Sequence, residues 1–343
     1  MEISIGSARN RTAVAANTDL VRLTYFDQAR LPAVIEPAIA GVDLVRWGGT
    51  QQQRVDSILA DAGAILFRNF GISKVEQFEA FVKATCGPLL DYKERSSPRS
   101  RVSGNIFTST DYPPSRAIFL HTEQSYNYTF PRRIAFFCLT EPAEGGETPI
   151  ADTRRVLQRI QPRVRRRFEE QGYLYVRNFG GGAGLSWQEA FQTKDPQKVE
   201  EHCRKSVIEF EWISDGRLRT RQRRPAVARH PSGVDAWFNH ITFFHISTLE
   251  PDIRQQMLEY FSEVDLPNNT YYGDGSPIEP EVMEELRKAY LEESTSFKWR
   301  AGDILLLDNV LTAHGRSPFT PPRSIVVSMA QPWSWSEAGC MPS

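Results

Sequence analysis

A chain of 343 residues suits one enlarged domain or two ordinary ones, and 40% hydrophobic with 24% charged residues places it among globular proteins. Its 41 Lys and Arg against 42 Asp and Glu leave a formal net charge of -1, so there is no basic excess for nucleic acid or an anionic membrane to engage. The four cysteines, Cys86, Cys138, Cys203 and Cys340, are widely spaced with no Cys-x-x-Cys pair, and each reads as a reduced thiol.

The opening "MEISIGSARNRTAVAANTDL" lacks the apolar core of a signal peptide, and no later run has the length of a membrane span, so a cytoplasmic location is expected. Residues 1–50 show weak periodicity and are read as an N-terminal arm on a single domain covering 1–343. "AILFRNF" (64–70) predicts a strand between Gly63 and Gly71. A helix follows, with Val75, Phe78, Phe81 and Val82 at helical spacing and Ser73 as its cap.

"RIAFFCLTEP" (133–142) has strand length, and Asp152 is placed to cap a helix that Pro162 interrupts. "NFGGGAGLSW" (178–187) has the glycines of a mobile lid. In "GRLRTRQRR" (216–224), Arg217, Arg219, Arg221 and Arg223 fall on one strand face; a solvated edge is favoured over a patch for an acidic partner. "PDIRQQMLEYFSEV" and "EPEVMEELRKAYLEE" read as amphipathic helices, and "DILLLDNV" (303–310) and "RSIVVSMAQPW" (323–333) as strands. Strands at both ends of the body with helical insertions predict a β-rich α+β fold.

Chemistry enters at "IFLHTEQSY" (118–126). On a strand, positions i and i+2 share a face, so His121 and Glu123 have the spacing to chelate one ion. A third donor is read in "ILLLDNVLTAHGRSPF", where His314 follows an apolar strand. Two histidines and one carboxylate on one side of a metal leave the opposite positions open, the arrangement of non-haem Fe(II) oxygenases. Hydrolytic zinc is the alternative for this ligand set, although no His-Glu-x-x-His helix is present. A barrel that binds a small molecule without turnover is the other competitor. His240 and His245, in "WFNHITFFH", read as barrel-wall residues, and His202 and His230 as surface or turn residues.

The blocks "HTEQSY", "EGGETPIAD", "WFNHITFFH" and "LLLDNVLTAHGRSPFTPPR", in this order, resemble the taurine dioxygenase (TauD/TfdA) family of Fe(II)- and 2-oxoglutarate-dependent oxygenases. The resemblance runs from about residue 60 to the C-terminus, nearest to the syringomycin-biosynthesis-type hydroxylases, which use Glu where taurine dioxygenase has Asp. It implies a double-stranded β-helix, a jelly-roll or cupin-like barrel with helical insertions. His121, Glu123 and His314 look like the metal triad. Thr148, after Gly145 and Gly146, matches the threonine that meets the distal carboxylate of 2-oxoglutarate, and Arg323 looks like the arginine that forks onto it. "TPPRS" departs from the family in its Ser324, and Arg316 is the fallback for Arg323.

The resemblance further implies hydroxylation of an unactivated C-H bond at the expense of O2 and 2-oxoglutarate. Related halogenases have a small residue in place of the carboxylate, so Glu123 disfavours halogenation. The implied substrate is an amino acid or amino-acid-derived unit of specialised metabolism, either free or held on a peptidyl carrier protein. Asn105, Tyr126, Trp237 and Asn239 are expected to line its pocket.

Overall fold

The computed structural model describes residues 20–26, 30–91, 94, 96, 99–109 and 112–339, so Cys340 and residues 1–19 of the expected arm lie outside the described residues. An eight-stranded sheet runs in the order Val21–Tyr25, Ala33–Pro37, Ala64–Phe67, Ile304–Asp308, Thr129–Thr140, Ser324–Ser334, Ile106–Thr108, Arg101–Ser103. A four-stranded sheet, Ser294–Thr295, Ile150–Asp152, Thr312–Arg316, Ile118–His121, completes the jelly-roll. The α+β double-stranded β-helix expected from the sequence is the observed fold.

Period-two alternation builds two cores on the large sheet. Ile65, Phe67, Ile304, Leu306, Phe137 and Val326 pack against helices Leu44–Thr50, Gln52–Ala62 and Val75–Cys86. Leu66, Leu305, Leu307, Ile134, Phe136 and Val327 face the other way and bury Trp299 and Ile150 of the small-sheet side. Each fully buried side chain of this size contributes about 1.5–3 kcal/mol of transfer free energy.

The arm is corrected over residues 20–50. Val21–Tyr25 and Ala33–Pro37 are strands of the large sheet, the latter parallel to Ala64–Phe67. Ala33, Val34 and Ile35 are all buried, so the strand is a short continuous apolar run with no alternation for a periodicity search to find. Asp43 then caps the helix that buries Trp47.

Elsewhere, local chemistry acts as expected. Asp152 accepts from the Arg154 backbone N–H at 2.9 Å and starts the helix Thr153–Arg159, and Pro162 opens the next helix, Pro162–Gln171. Ser73 is displaced as a cap: Gln77 Oε1 accepts from the backbone N–H groups of both Ser73 and Lys74 at 3.1 Å. The helix Pro251–Tyr260 buries none of its residues, so its apolar positions lie on the surface. The arginine-rich strand Arg217–Arg224 alternates as read but is no edge, since it pairs with Tyr173–Phe179 on one side and Glu209–Ile213 on the other; Arg219 is paired to Asp265 at 2.8 Å and Arg221 lies near Glu211 at 3.7 Å. In the glycine-rich turn, Gly181 lines a surface cavity together with Arg217 and Phe261. Among the described residues no helix is long and apolar enough to cross a membrane.

One buried ion network braces the sheet. Arg133 and Asp308 are register partners on adjacent strands, both essentially unexposed, and form a close ion pair. Arg133 also reaches Asp56 at 2.8 Å, and His230 lies 3.1 Å from Asp308. His230 is therefore no surface residue; it is 2% exposed and tied into this network. Burial alone would raise the Asp308 pKa, but Arg133, His230 and Arg132 outweigh it and hold the carboxyl well below its usual range.

A depressed folded-state pKa gives stability that is present above the unfolded aspartate value of about 3.9 and lost as pH falls through the folded value. Asp308→Ala is expected to lower the unfolding free energy by about 3–5 kcal/mol at neutral pH, because Arg133 is left buried without its main counter-charge. Urea unfolding checks this; an unchanged midpoint would mean the pair contributes nothing net.

Candidate metal and cosubstrate site

The small sheet brings the two histidines together. His121, the last residue of Ile118–His121, and His314, in Thr312–Arg316, are antiparallel register partners, with ring centroids 4.5 Å apart. The register shifts between His314 and Arg316, a bulge that re-aims the strand beside the site. Gly315 permits this close approach, since a Cβ there would lie 2.6 Å from the Ile118 carbonyl oxygen.

Glu123 reaches the histidines from a turn rather than from the expected extended strand, which ends at His121. Asn309 clamps that turn. Its Oδ1 accepts from the Glu123 backbone N–H at 2.7 Å, and its Nδ2 donates to the Glu123 carbonyl at 2.9 Å and the Pro131 carbonyl at 2.7 Å. His121, Glu123 and His314 are all buried, and one potential ligand atom from each lies within 4.8 Å of the others.

The donors fit a divalent cation. His121 Nδ1 pairs with the Phe119 carbonyl at 2.9 Å, which leaves Nε2 for the site, and His314 Nε2 lies 3.8 Å from Glu123 Oε2. Burial pushes the pKa of both imidazoles below the ordinary value, so both sit in the neutral form that ligates metal. Phe243 stacks on His121 at 4.3 Å and fixes the plane of its ring. His240 is turned to Ser125 Oγ, 2.6 Å from its Nδ1, and His245 to Ser247 at 2.7 Å, so both are held outside the triad.

Thr148 and Arg323 share a cavity with His121 and His314. Its other walls include Ile118, Phe136 and Ile325, and its volume is about 30 Å³. Thr148 Oγ1 accepts from the Trp299 indole N–H at 3.1 Å, and Arg323 Nε donates to the Gly146 carbonyl at 2.9 Å. The two glycines are needed here: both have φ near +70°, and a Cβ on Gly145 would meet the Pro318 carbonyl oxygen at 2.3 Å. Burial, with Arg316 nearby, pushes the Arg323 pKa down to about 10, which leaves the guanidinium charged at neutral pH. Arg316 is committed elsewhere, donating to the carbonyls of Tyr112, Pro113 and Arg116 at 2.7–3.0 Å.

The residues expected to line the substrate pocket lie outside this cavity. Tyr126 and Trp237 are fully buried in the core behind the small sheet, Asn105 bonds the Leu89 carbonyl, and Asn239 bonds the Ala226 carbonyl. None of them, and none of the glycine-rich turn, lines this cavity. Aromatic and amide side chains near a motif serve packing as readily as binding.

Sequence reasoning passed over Asn309, although it stands in the quoted "LLLDNV", and Arg99, whose setting "SSPRS" carries no signal. Asn309→Ala is expected to weaken Mn(II) binding roughly 10- to 100-fold, the usual effect of removing a residue that orients a ligand. Calorimetric titration of the metal-free variant measures it, and wild-type affinity would show that the turn holds Glu123 without the clamp.

Comparison with known proteins agrees with this architecture. The family model "Taurine catabolism dioxygenase TauD, TfdA family" matches residues 27–329. The chain is 41% identical to the dapdiamide synthesis protein DdaC of Enterobacter agglomerans over 81% of its length and 85% of that protein's. It is 30% identical to a clavaminate synthase-like protein of Arabidopsis thaliana, over 92% of this chain and 98% of that one. The crystal structure of PvcB from Pseudomonas aeruginosa superimposes with a TM-score of 0.55 at 15% identity, covering 94% of each chain, a likeness of fold. The chain thus belongs to the TauD/TfdA family of dioxygenases.

Proposed function

We propose that this dioxygenase oxidises an unactivated C-H bond of an amino acid or amino-acid-derived substrate in specialised-metabolite biosynthesis, as one cytoplasmic oxygenase domain. Iron(II), 2-oxoglutarate and O2 are the cofactor set of this enzyme class. In this reading His121, Glu123 and His314 would hold the metal, and Thr148 and Arg323 would hold the distal carboxylate of 2-oxoglutarate. The observation that carries it is the convergence of the three donors within 4.8 Å of one another, two of them, His121 and His314, in the wall of the cavity that Thr148 and Arg323 also line. The substrate class is supported by the relatives' names: DdaC is a dapdiamide synthesis protein, and PvcB is described as an oxygenase from an isonitrile synthetic pathway.

Bound iron and cosubstrate supply the oxidising chemistry, with 2-oxoglutarate decarboxylated to succinate as the substrate is oxidised. The chain supplies the rest. The two neutral imidazoles and the Glu123 carboxylate would hold the iron, a donor set of the kind that serves cosubstrate and O2 chemistry. Arg323, charged and aimed by the Gly146 carbonyl, offers its remaining N–H groups to a carboxylate as a planar fork. Ile118, Phe136 and Ile325 keep bulk water from the reacting centre. The carboxylate at position 123 occupies the place a halide would need, which favours hydroxylation over halogenation.

The test is succinate release from 2-oxoglutarate under air with iron(II), screened over free amino acids and the same residues loaded on a peptidyl carrier protein. Substrate-dependent succinate matched by oxidised product supports the reading. Turnover of a substrate with zinc, without O2 or 2-oxoglutarate, would replace it with a metal-dependent hydrolase.

A further inference from the structure

We propose that Trp299 is a positioning residue for the cosubstrate: its indole N–H bonds the Thr148 oxygen and so commits the Thr148 hydroxyl proton to the carboxylate bound by Thr148 and Arg323. The inference rests on the assignment of those two residues above.

Donor and acceptor chemistry carries the first step. Thr148 is 2% exposed, and among the described residues its Oγ1 has one hydrogen-bond partner, Trp299 Nε1 at 3.1 Å. An indole N–H donates and cannot accept, whereas a hydroxyl has one proton and two lone pairs. The bond therefore uses a lone pair of Thr148 and leaves its proton for an acceptor that enters the cavity. Burying a donor without an acceptor is costly, so the site gains when a ligand supplies one.

The neighbours define that ligand. Three arginines share the cavity wall with Thr148. Arg99 donates to Glu123 Oε2 at 2.8 Å and Arg316 to three backbone carbonyls, while Arg323 is held through Nε by the Gly146 carbonyl. A guanidinium has only donors to give, so a group that meets both Arg323 and Thr148 must accept from both, as the two oxygens of an ionised carboxylate do. Without the indole, the hydroxyl is free to rotate and turn a lone pair toward that carboxylate, acceptor against acceptor. Trp299 is not in the cavity wall, so it acts through Thr148.

The fold fixes the indole in advance. Trp299 is buried in one core with Phe136 and Ile325 of the cavity wall, and its ring meets that of Phe297 edge to face at 5.0 Å. One ion pair pins the backbone on both sides of it. Asp303 accepts from Arg68 Nε at 3.0 Å and from Arg68 Nη2 at 2.6 Å. Arg68 Nη2 also donates to the Lys298 carbonyl at 2.8 Å, and Asp303 Oδ2 accepts from the Arg300 backbone N–H at 2.8 Å. Residues 298 and 300 are thus held with Trp299 between them, which sets the ring before any ligand arrives.

The test is calorimetric, on Mn(II)-loaded protein, with 2-oxoglutarate and with 2-oxopentanoate, which keeps the 2-oxo acid and lacks the distal carboxylate. Thr148→Val is expected to weaken 2-oxoglutarate at least about tenfold, the usual cost of a lost hydrogen bond to a charged group. Trp299→Phe, which keeps a ring and removes the N–H, should weaken it at least about threefold and leave 2-oxopentanoate unchanged. The double variant should bind 2-oxoglutarate about as tightly as Thr148→Val alone, because the indole acts only through that hydroxyl.

Equal weakening of both ligands by Trp299→Phe would make the ring a packing residue and overturn the proposal, as would wild-type affinity for both. Wild-type affinity in Thr148→Val would instead overturn the Thr148 assignment, and a wild type that binds no 2-oxoglutarate would overturn the cosubstrate reading itself. A crystal structure of the wild type with Mn(II) and 2-oxoglutarate needs no variant. Thr148 Oγ1 should keep its contact with Trp299 and gain a carboxylate oxygen at about 2.7 Å, and a complex in which the indole has left Thr148 contradicts the proposal.

Discussion

Glu123→Ala is expected to bind Mn(II) more than about 100-fold more weakly than wild type and to lose coupled turnover, because removing even an outer partner of a ligand costs about 10- to 100-fold. Glu123 is the one carboxylate among the three converging donors, and it is held by a turn whose backbone Asn309 clamps from both sides. Two neutral imidazoles remain in the variant, on adjacent strands and in direct register. They keep the direction of the site and lose its charge. Calorimetry on metal-free protein reads the affinity, and succinate release reads the coupling. Near-wild-type coupled turnover by the variant would remove Glu123 from the metal shell.

Arg323→Ala should raise the 2-oxoglutarate requirement by roughly 30-fold or more, in line with the ~2–5 kcal/mol lost when one partner of a buried charged pair is truncated. Arg323 is half-buried, lines the same cavity as Thr148 and is charged at neutral pH, with its pKa lowered to about 10. Arg316 cannot substitute, because its guanidinium already serves three carbonyls of the segment 112–116. Lysine at 323 is expected to recover only part of the loss, since an ammonium offers a point charge where the carboxylate meets a planar fork. The KM for 2-oxoglutarate checks both variants, and an unchanged value in Arg323→Ala would pass the role to another residue.

The large-sheet strands beside the site were legible because they are short apolar runs closed by turn residues, as in "DILLLDNV" and "RSIVVSMAQPW". His121 and His314 were legible through their motifs, but their direct register pairing is a property of the sheet. Ala33–Pro37 was missed because a buried parallel strand has no alternation to read. His230 was missed for a related reason: its partner Asp308 stands on another strand, and a single sequence says nothing of that proximity. Arg99 is the extreme case. It looks like a loop arginine and becomes informative only when its distance to Glu123 is known. Tyr126 and Trp237 show the converse, since composition marked them for a pocket and packing placed them in a core.

The most direct test is anaerobic. Iron(II) and then 2-oxoglutarate are added to the metal-free wild type and to Arg323→Ala, and the weak visible charge-transfer band of chelated 2-oxoglutarate is followed. The account predicts a band in the wild type that saturates with cosubstrate, and a variant that needs far more 2-oxoglutarate to reach it. A folded, iron-loaded wild type that develops no band would contradict the assignment of His121, Glu123, His314 and Arg323 to this chemistry.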